Sequence, residues 1–247
     1  MKGGTAVTGI DKSRRRFFKQ TCGGAAAGVL AGAILPVGRA FAAGPVAKTD
    51  LTPDQALQLL KDGNRDFITD SAYRTGENRD RRIEIARSQT PFAVLVSCSD
   101  SRVPPELLFG RGLGELFIVR NAGNTVDTAA LGSIEYAVAE LGVPLVVVMG
   151  HERCGAVAAA VSVVRDNAKF PGSIGRMVEP IIPAVLDVRD QPGDFVDNAV
   201  RANVRRIVQR LRESEPLLVD PLEAGKLKIV GARYDLDDGG VEFFEDA

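Results

Sequence analysis

"DTAALGSIEYAVAELGVPLVVVMGHERCGA", residues 127–156, carries the reading of the fold. Asp127 is placed to cap a helix. Leu131, Ile134, Val138 and Leu141 recur at helical spacing, and Gly142 stops the run. Residues 145–149 are apolar and rich in valine, which predicts a strand buried on both faces. A second helix is expected to start near Cys154. Helix, buried strand and helix in succession are the unit of an α/β protein with a largely parallel sheet.

Outward from this stretch the pattern repeats. Apolar runs at 92–97 and 116–119 predict further buried strands, and residues 195–211 a long amphipathic helix. The segment "KLKIVGARYDLDDGGVEFF", 226–244, reads as a strand, a turn at Asp238-Gly239-Gly240 and a second strand. Upstream, "LTPDQALQLLKDGNRDF" begins at Leu51. Thr52 is the expected N-cap, Pro53 the first helical residue, and Gln55 completes a capping box. Leu57, Leu60 and Phe67 form that helix's apolar stripe. Residues 79–88, "RDRRIEIARS", are charged and helical, with the bases on a solvated face. The fold class is therefore α/β: a mostly parallel central sheet flanked by helices.

The 247 residues carry 31 bases and 32 acids, a net charge of −1. Seven of those bases and a single acid lie in residues 1–42, so the remainder is acidic, 24 bases against 31 acids. A nucleic-acid partner would want a basic face, and the body offers none. "SRRRFFK" at 13–19, an Ala/Gly-rich stretch at 22–37 and "GRAFAAG" at 38–44 give a basic, an apolar and a small-x-small region in order. That order marks a secretory signal. Arg14-Arg15 with Phe17, Phe18 and Lys19 give it the twin-arginine form. Cleavage is expected after Ala42, leaving 43–247 as one domain, exported to the periplasm or beyond. The apolar part is too short and too Gly-rich to span a bilayer, so no stable membrane anchor is expected.

The chemistry gathers in two motifs. "VLVSCSDSRVPPE", 94–106, ends a strand in Cys98 and continues with Asp100 and Arg102. "GHERCGA", 150–156, places His151 three residues before Cys154. Ligands of parallel sheets gather at the carboxyl ends of the strands, so the two motifs can meet although about fifty residues separate them. Beyond residue 42 the chain has no other Cys or His. Two sulfurs and one nitrogen suit a roughly tetrahedral zinc, and three protein ligands leave the fourth position open, as in catalytic sites. Two plainer readings stand beside this one. In an exported protein Cys98 and Cys154 could form a disulfide. A structural zinc could take Asp100 as its fourth ligand. The three glycines at 110, 112 and 114 precede a strand rather than open a helix, which argues against a nucleotide loop.

"CSDSR", "VRNAGN" at 119–124, "GSIEYA" at 132–137 and "GHERCGA" together resemble the β-class carbonic anhydrases, and the resemblance runs over nearly the whole of 43–247. It implies one Zn2+ per chain on Cys98, His151 and Cys154. It implies reversible hydration of CO2 to bicarbonate and a proton by zinc-bound hydroxide, with Asp100 and Arg102 as the catalytic dyad. Two thiolates make zinc a weaker acid than imidazoles do, and Asp100 is the candidate to compensate, accepting a hydrogen bond while Arg102 keeps it ionised. Some members close the site by moving this aspartate onto zinc, and regulate it through a bicarbonate pocket built on a tryptophan. This chain has no tryptophan, so an open resting site is expected. Family members often carry a glutamine in the loop before "VRN" that helps orient substrate. Here the loop is "FGRGLGE", and Arg111 is the candidate substrate contact in its place. With the sole histidine a ligand, the released proton is expected to leave through buffer. The family's unit is a dimer with helical arms, so a homodimer or larger homo-oligomer is expected, with the helix after Thr52 as arm. Hydrolysis of carbonyl sulfide or carbon disulfide on the same site, and a non-catalytic zinc-bearing scaffold, are the rival functions.

Overall fold

The computed structural model describes residues 48–70, 78–213 and 216–244. The expected signal at 1–42 lies outside them. In chain order the helices and strands are α1 (Pro53–Ile68), α2 (Arg79–Ile85), β1 (Ala93–Ser97), α3 (Pro105–Leu108), β2 (Leu116–Arg120), α4 (Thr128–Ala139), β3 (Leu145–His151), α5 (Gly155–Asp166), α6 (Ser173–Val178), α7 (Ile182–Asp187), α8 (Phe195–Glu213), α9 (Pro216–Glu223), β4 (Lys228–Tyr234) and β5 (Val241–Phe244). The sheet order is β2-β1-β3-β4-β5. The first four strands run parallel, and β5 returns antiparallel to β4.

The caps expected from sequence are formed. Thr52 accepts from the Gln55 backbone N–H at 3.2 Å, and the Gln55 side chain accepts from the Thr52 N–H at 2.9 Å. Asp127 accepts from the Ala130 N–H at 2.8 Å, which satisfies one of the free donors at the start of α4.

Strand periodicity then divides the core. Every residue of β1 and β3 is buried, and alternate side chains face opposite ways. Val94, Val96, Val146, Val148 and Ile229 join α4, α8 and α9 on one face. Ala93, Leu95, Val147, Met149 and Val230 meet Ala56, Leu57 and Leu60 of α1 on the other. The helix after Thr52 therefore buries its stripe against its own sheet. By contrast α2 has no buried residue, and its Ile83 is 56% exposed. A third cluster sits past the carboxyl ends of the strands, where Cys98 and Cys154 pack with α5, α7 and α8.

Among the described residues no helix is long and apolar enough to cross a membrane.

The approach of α8 to the sheet depends on Gly150. A Cβ there would come within 2.8 Å of Val200 Cγ1 and Val204 Cγ2, and both valines are buried in a packed core. Gly150→Ala is expected to lower unfolding stability by about 1–3 kcal/mol through overpacking. Urea melts of the two proteins measure it, and coincident curves would contradict the close approach.

Candidate metal centre

Three elements deliver the donor atoms. Cys98 follows the last residue of β1, His151 ends β3, and Cys154 is the N-cap of α5. The parallel register sets Ser97 beside Met149, so Cys98 and His151 both overhang the same end of the sheet. The turn between His151 and Cys154 passes through Arg153 in the left-handed region, at φ 51. Asp237 holds that arginine with two hydrogen bonds, 2.9 and 2.6 Å.

The three donor atoms lie within 4.8 Å of one another, and all three residues are buried. The two Sγ atoms are 4.0 Å apart. Thiolates about 2.3 Å from a tetrahedral zinc would stand about 3.8 Å apart, so the spacing suits the ion. His151 is oriented by its other nitrogen: Nδ1 donates to the Glu152 carbonyl at 2.9 Å. That bond fixes the tautomer and leaves Nε2 as the donor. Nε2 is buried without a hydrogen-bond partner, a costly state for a polar atom unless it meets a ligand. The residues present thus fit zinc in number, softness and spacing.

The two thiols differ in acidity. Cys98 is pushed down, first by the hydrogen bond with Cys154 and then by His151 and the Gly123 N–H, against the opposing effect of burial. Cys154 is pushed up by that shared bond and by burial. The pair therefore readily gives up one proton, and a cation between the sulfurs favours loss of the second.

Asp100 and Arg102 stand at the rim. Arg102 donates from Nε to Oδ1 at 3.0 Å and from Nη2 to Oδ2 at 2.8 Å, and its backbone N–H reaches Oδ1 at 2.9 Å. These bonds hold the Asp100 carboxyl well below the usual carboxylate range. Oδ2 also lies 3.9 Å from His151 Nε2, so an acceptor faces the point on which the three donors converge.

Arg111 lies elsewhere in the packing. Its Nη2 donates to the Leu59 carbonyl of α1 at 2.6 Å, and its guanidinium covers the Phe92 ring at 5.6 Å. Among the described contacts none joins it to Cys98, His151 or Cys154. Two further groups support the site, and neither residue type marks itself in the sequence. Arg120 donates to the carbonyls of Cys98, at 2.8 Å, and Asp100, at 2.5 Å, bracing the loop that carries both side chains. Gly123 donates its N–H to Cys98 Sγ at 3.3 Å. Both belong to "VRNAGN", quoted above only as a resemblance.

Residues 93–241 match the family model described as "Carbonic anhydrase". The chain is 41% identical to carbonic anhydrase 2 of Mycobacterium tuberculosis over 187 residues, covering 76% of this chain and 90% of that protein. It is 40% identical to the carbonic anhydrase of Mycolicibacterium smegmatis over 190 residues, 77% of this chain and 92% of that one. Among solved structures, the β-carbonic anhydrase CcaA matches with a TM-score of 0.62 at 25% identity, covering 77% of this chain and 95% of that chain. One from work on two tetrameric β-carbonic anhydrases of Sordaria macrospora matches with a TM-score of 0.61 at 27% identity, covering 66% and 84%. With a mostly parallel sheet of this topology and a Cys-His-Cys group at its carboxyl edge, the chain belongs to the zinc-using β-carbonic anhydrase family, and it is a carbonic anhydrase.

Proposed function

We propose that this carbonic anhydrase hydrates CO2 to bicarbonate and a proton, reversibly, at a zinc centre on Cys98, His151 and Cys154. In this reading Asp100 is the acceptor that orients the reacting water, and Arg102 positions Asp100. The carrying observation is the unpartnered His151 Nε2, 3.9 Å from an Asp100 oxygen whose carboxylate is held by Arg102. Bound there, zinc supplies a Lewis acid that makes water nucleophilic near neutral pH.

An ionised carboxylate only accepts hydrogen bonds. Asp100 therefore holds groups that carry a proton, namely water or the hydroxyl of bicarbonate, and repels oxygens that carry none. Arg102 keeps it in that state as pH falls, because the ion pair lowers the carboxyl's pKa. With both carboxylate oxygens on Arg102, the arrangement supports an open resting site rather than one closed by Asp100. The proton leaves through buffer, since His151 serves as ligand.

Two further proposals concern the chain as a whole. The order of basic, apolar and small-residue regions in 1–42 supports a cleaved twin-arginine signal and export of 43–247 to the periplasm or beyond. The tetramers named for the Sordaria proteins support a homo-oligomer, a dimer or larger.

Stopped-flow CO2 hydration on protein lacking residues 1–42 tests the activity, with zinc measured in the same sample. One zinc per chain is expected, with activity lost to a chelator and regained with zinc. Asp100→Asn should keep the metal and lose about 10²–10³-fold in rate, the usual cost of removing a preorganised group at the reacting centre. Full activity in that variant would remove Asp100 from the mechanism. Bound zinc with turnover of carbonyl sulfide or carbon disulfide but not of CO2 would move the reading to those substrates. Bound zinc with no turnover would point to a scaffold. Replacing Arg14 and Arg15 together with lysine should strand the precursor inside the cell, and normal export of that variant would refute the signal.

A further inference from the structure

Helix α8 buries a polar side chain in the middle of an apolar stripe. Ala199, Val200, Val204, Ile207, Val208 and Leu211 face the core, and Asn203 lies among them, 3% exposed. Its amide donates to the Gly123 carbonyl at 3.0 Å. Gly123 in turn donates its N–H to Cys98 Sγ at 3.3 Å. Both polar groups of this one residue are therefore committed, one to α8 and one to a metal ligand.

Gly123 has little freedom to do otherwise. It sits at φ 67, in the left-handed region, and a Cβ there would come 2.6 Å from Ile181 Cδ1. The residue is thus held in place by packing on one side and by Asn203 on the other. An apolar side chain of similar volume would fill the slot in α8 without desolvating an amide. A buried amide aimed at this carbonyl instead fixes where the neighbouring N–H points.

We propose that Asn203 is a positioning residue of the metal centre, which holds the Gly123 carbonyl so that the Gly123 N–H stays aimed at Cys98 Sγ and draws charge from that thiolate. Two thiolates donate more charge to zinc than imidazoles do, and a hydrogen bond to sulfur offsets part of that donation. Outer contacts of this kind both orient a ligand and tune the metal. The inference rests on the zinc reading of Cys98, His151 and Cys154, and is independent of the substrate.

The test compares the cobalt(II)-loaded protein with Asn203→Leu, which keeps the branching of the side chain, and Asn203→Ala, which shortens it; neither can donate to the Gly123 carbonyl. The sulfur-to-cobalt charge-transfer band should move to longer wavelength in each, because an unbonded thiolate is easier to oxidise. Metal release to a chelator should quicken by about tenfold or more. Val208→Ala serves as the packing control: it removes buried bulk from the same helix, and should melt lower with the band unmoved. An unmoved band and unchanged release in both Asn203 variants would overturn the proposal, as would an equal shift in Val208→Ala. If neither Asn203 variant folds, the wild-type protein loaded with an NMR-active cadmium isotope decides. A scalar coupling between the metal and the Gly123 amide proton is expected, and its absence would refute the contact. Failure of CO2 hydration alongside the expected band shifts would sink the substrate reading and leave this one standing.

Discussion

The structure turns on the parallel register of β1 against β3. Ser97 pairs with Met149, so Cys98, just past β1, and His151, the last residue of β3, come to the same end of the sheet. A slip of one residue would turn every side chain of one strand to the opposite face. The cost would be large, because both strands are buried along their whole length and both faces are covered by helices. The apolar valines therefore do more than fill a core: they fix the relative height of two of the three donors grouped to hold a metal. The third donor follows from the same register, since Cys154 lies three residues beyond His151 and caps the start of α5.

Arginine does much of the work of fixing the loops. Arg120 binds the Cys98 and Asp100 carbonyls, Arg111 the Leu59 carbonyl, Arg210 the Val126 carbonyl and Arg212 the Ile229 carbonyl. A planar fork of donors can reach carbonyls in loops and can add a bond to carbonyls inside a helix or strand, as at Leu59 of α1 and Ile229 of β4. Each of these ties a loop or strand to a second element. The price is desolvation, visible at Arg212, where burial pushes the guanidinium pKa down. In a chain with one histidine and no tryptophan, arginine supplies the donors that other proteins draw from a wider set.

The sequence was most legible where local chemistry and long-range packing agree. The capping box at Thr52 and Gln55, the cap at Asp127 and the buried valine runs each had one sensible reading, and each is observed. Strand β3 runs two residues further than its apolar run, through Gly150 and His151, because β4 continues alongside to pair His151 with Tyr234. That extension depends on a partner strand some eighty residues away. Helix α9 was not foreseen: it carries Pro221 in its interior, which argues locally against a helix, while Leu218 is fully buried against the core. At the site, Cys98, His151 and Cys154 were readable because soft donors are so scarce in this chain. Arg111 stands where the resemblance places a substrate-orienting glutamine, but its guanidinium turns to the Leu59 carbonyl, a contact set by how α1 packs. Asn203 did leave a trace, as a polar residue interrupting a core-facing helical stripe.

Metal choice depends on a second group of donors as well as on the first. Glu152, Asp235 and Asp237 bring three carboxylates together immediately beside His151. Oxygen donors of that kind suit harder cations. Here the carboxylates are already matched by arginines. Arg153 bonds Asp237 and Glu152, and Arg233 bonds Asp235 and Asp197. Arg201 continues the chain to Asp197 and Glu242. Exposed pairs like Arg153 with Asp237 add little to stability. Their effect is geometric: they tie the turn that follows His151 to the hairpin between β4 and β5 and to α8. They also leave the neighbouring acids with counter-charges in place, so a cation entering there must displace an arginine. The sulfur and imidazole donors face no such competitor, and a soft ion such as zinc is the one that gains from them.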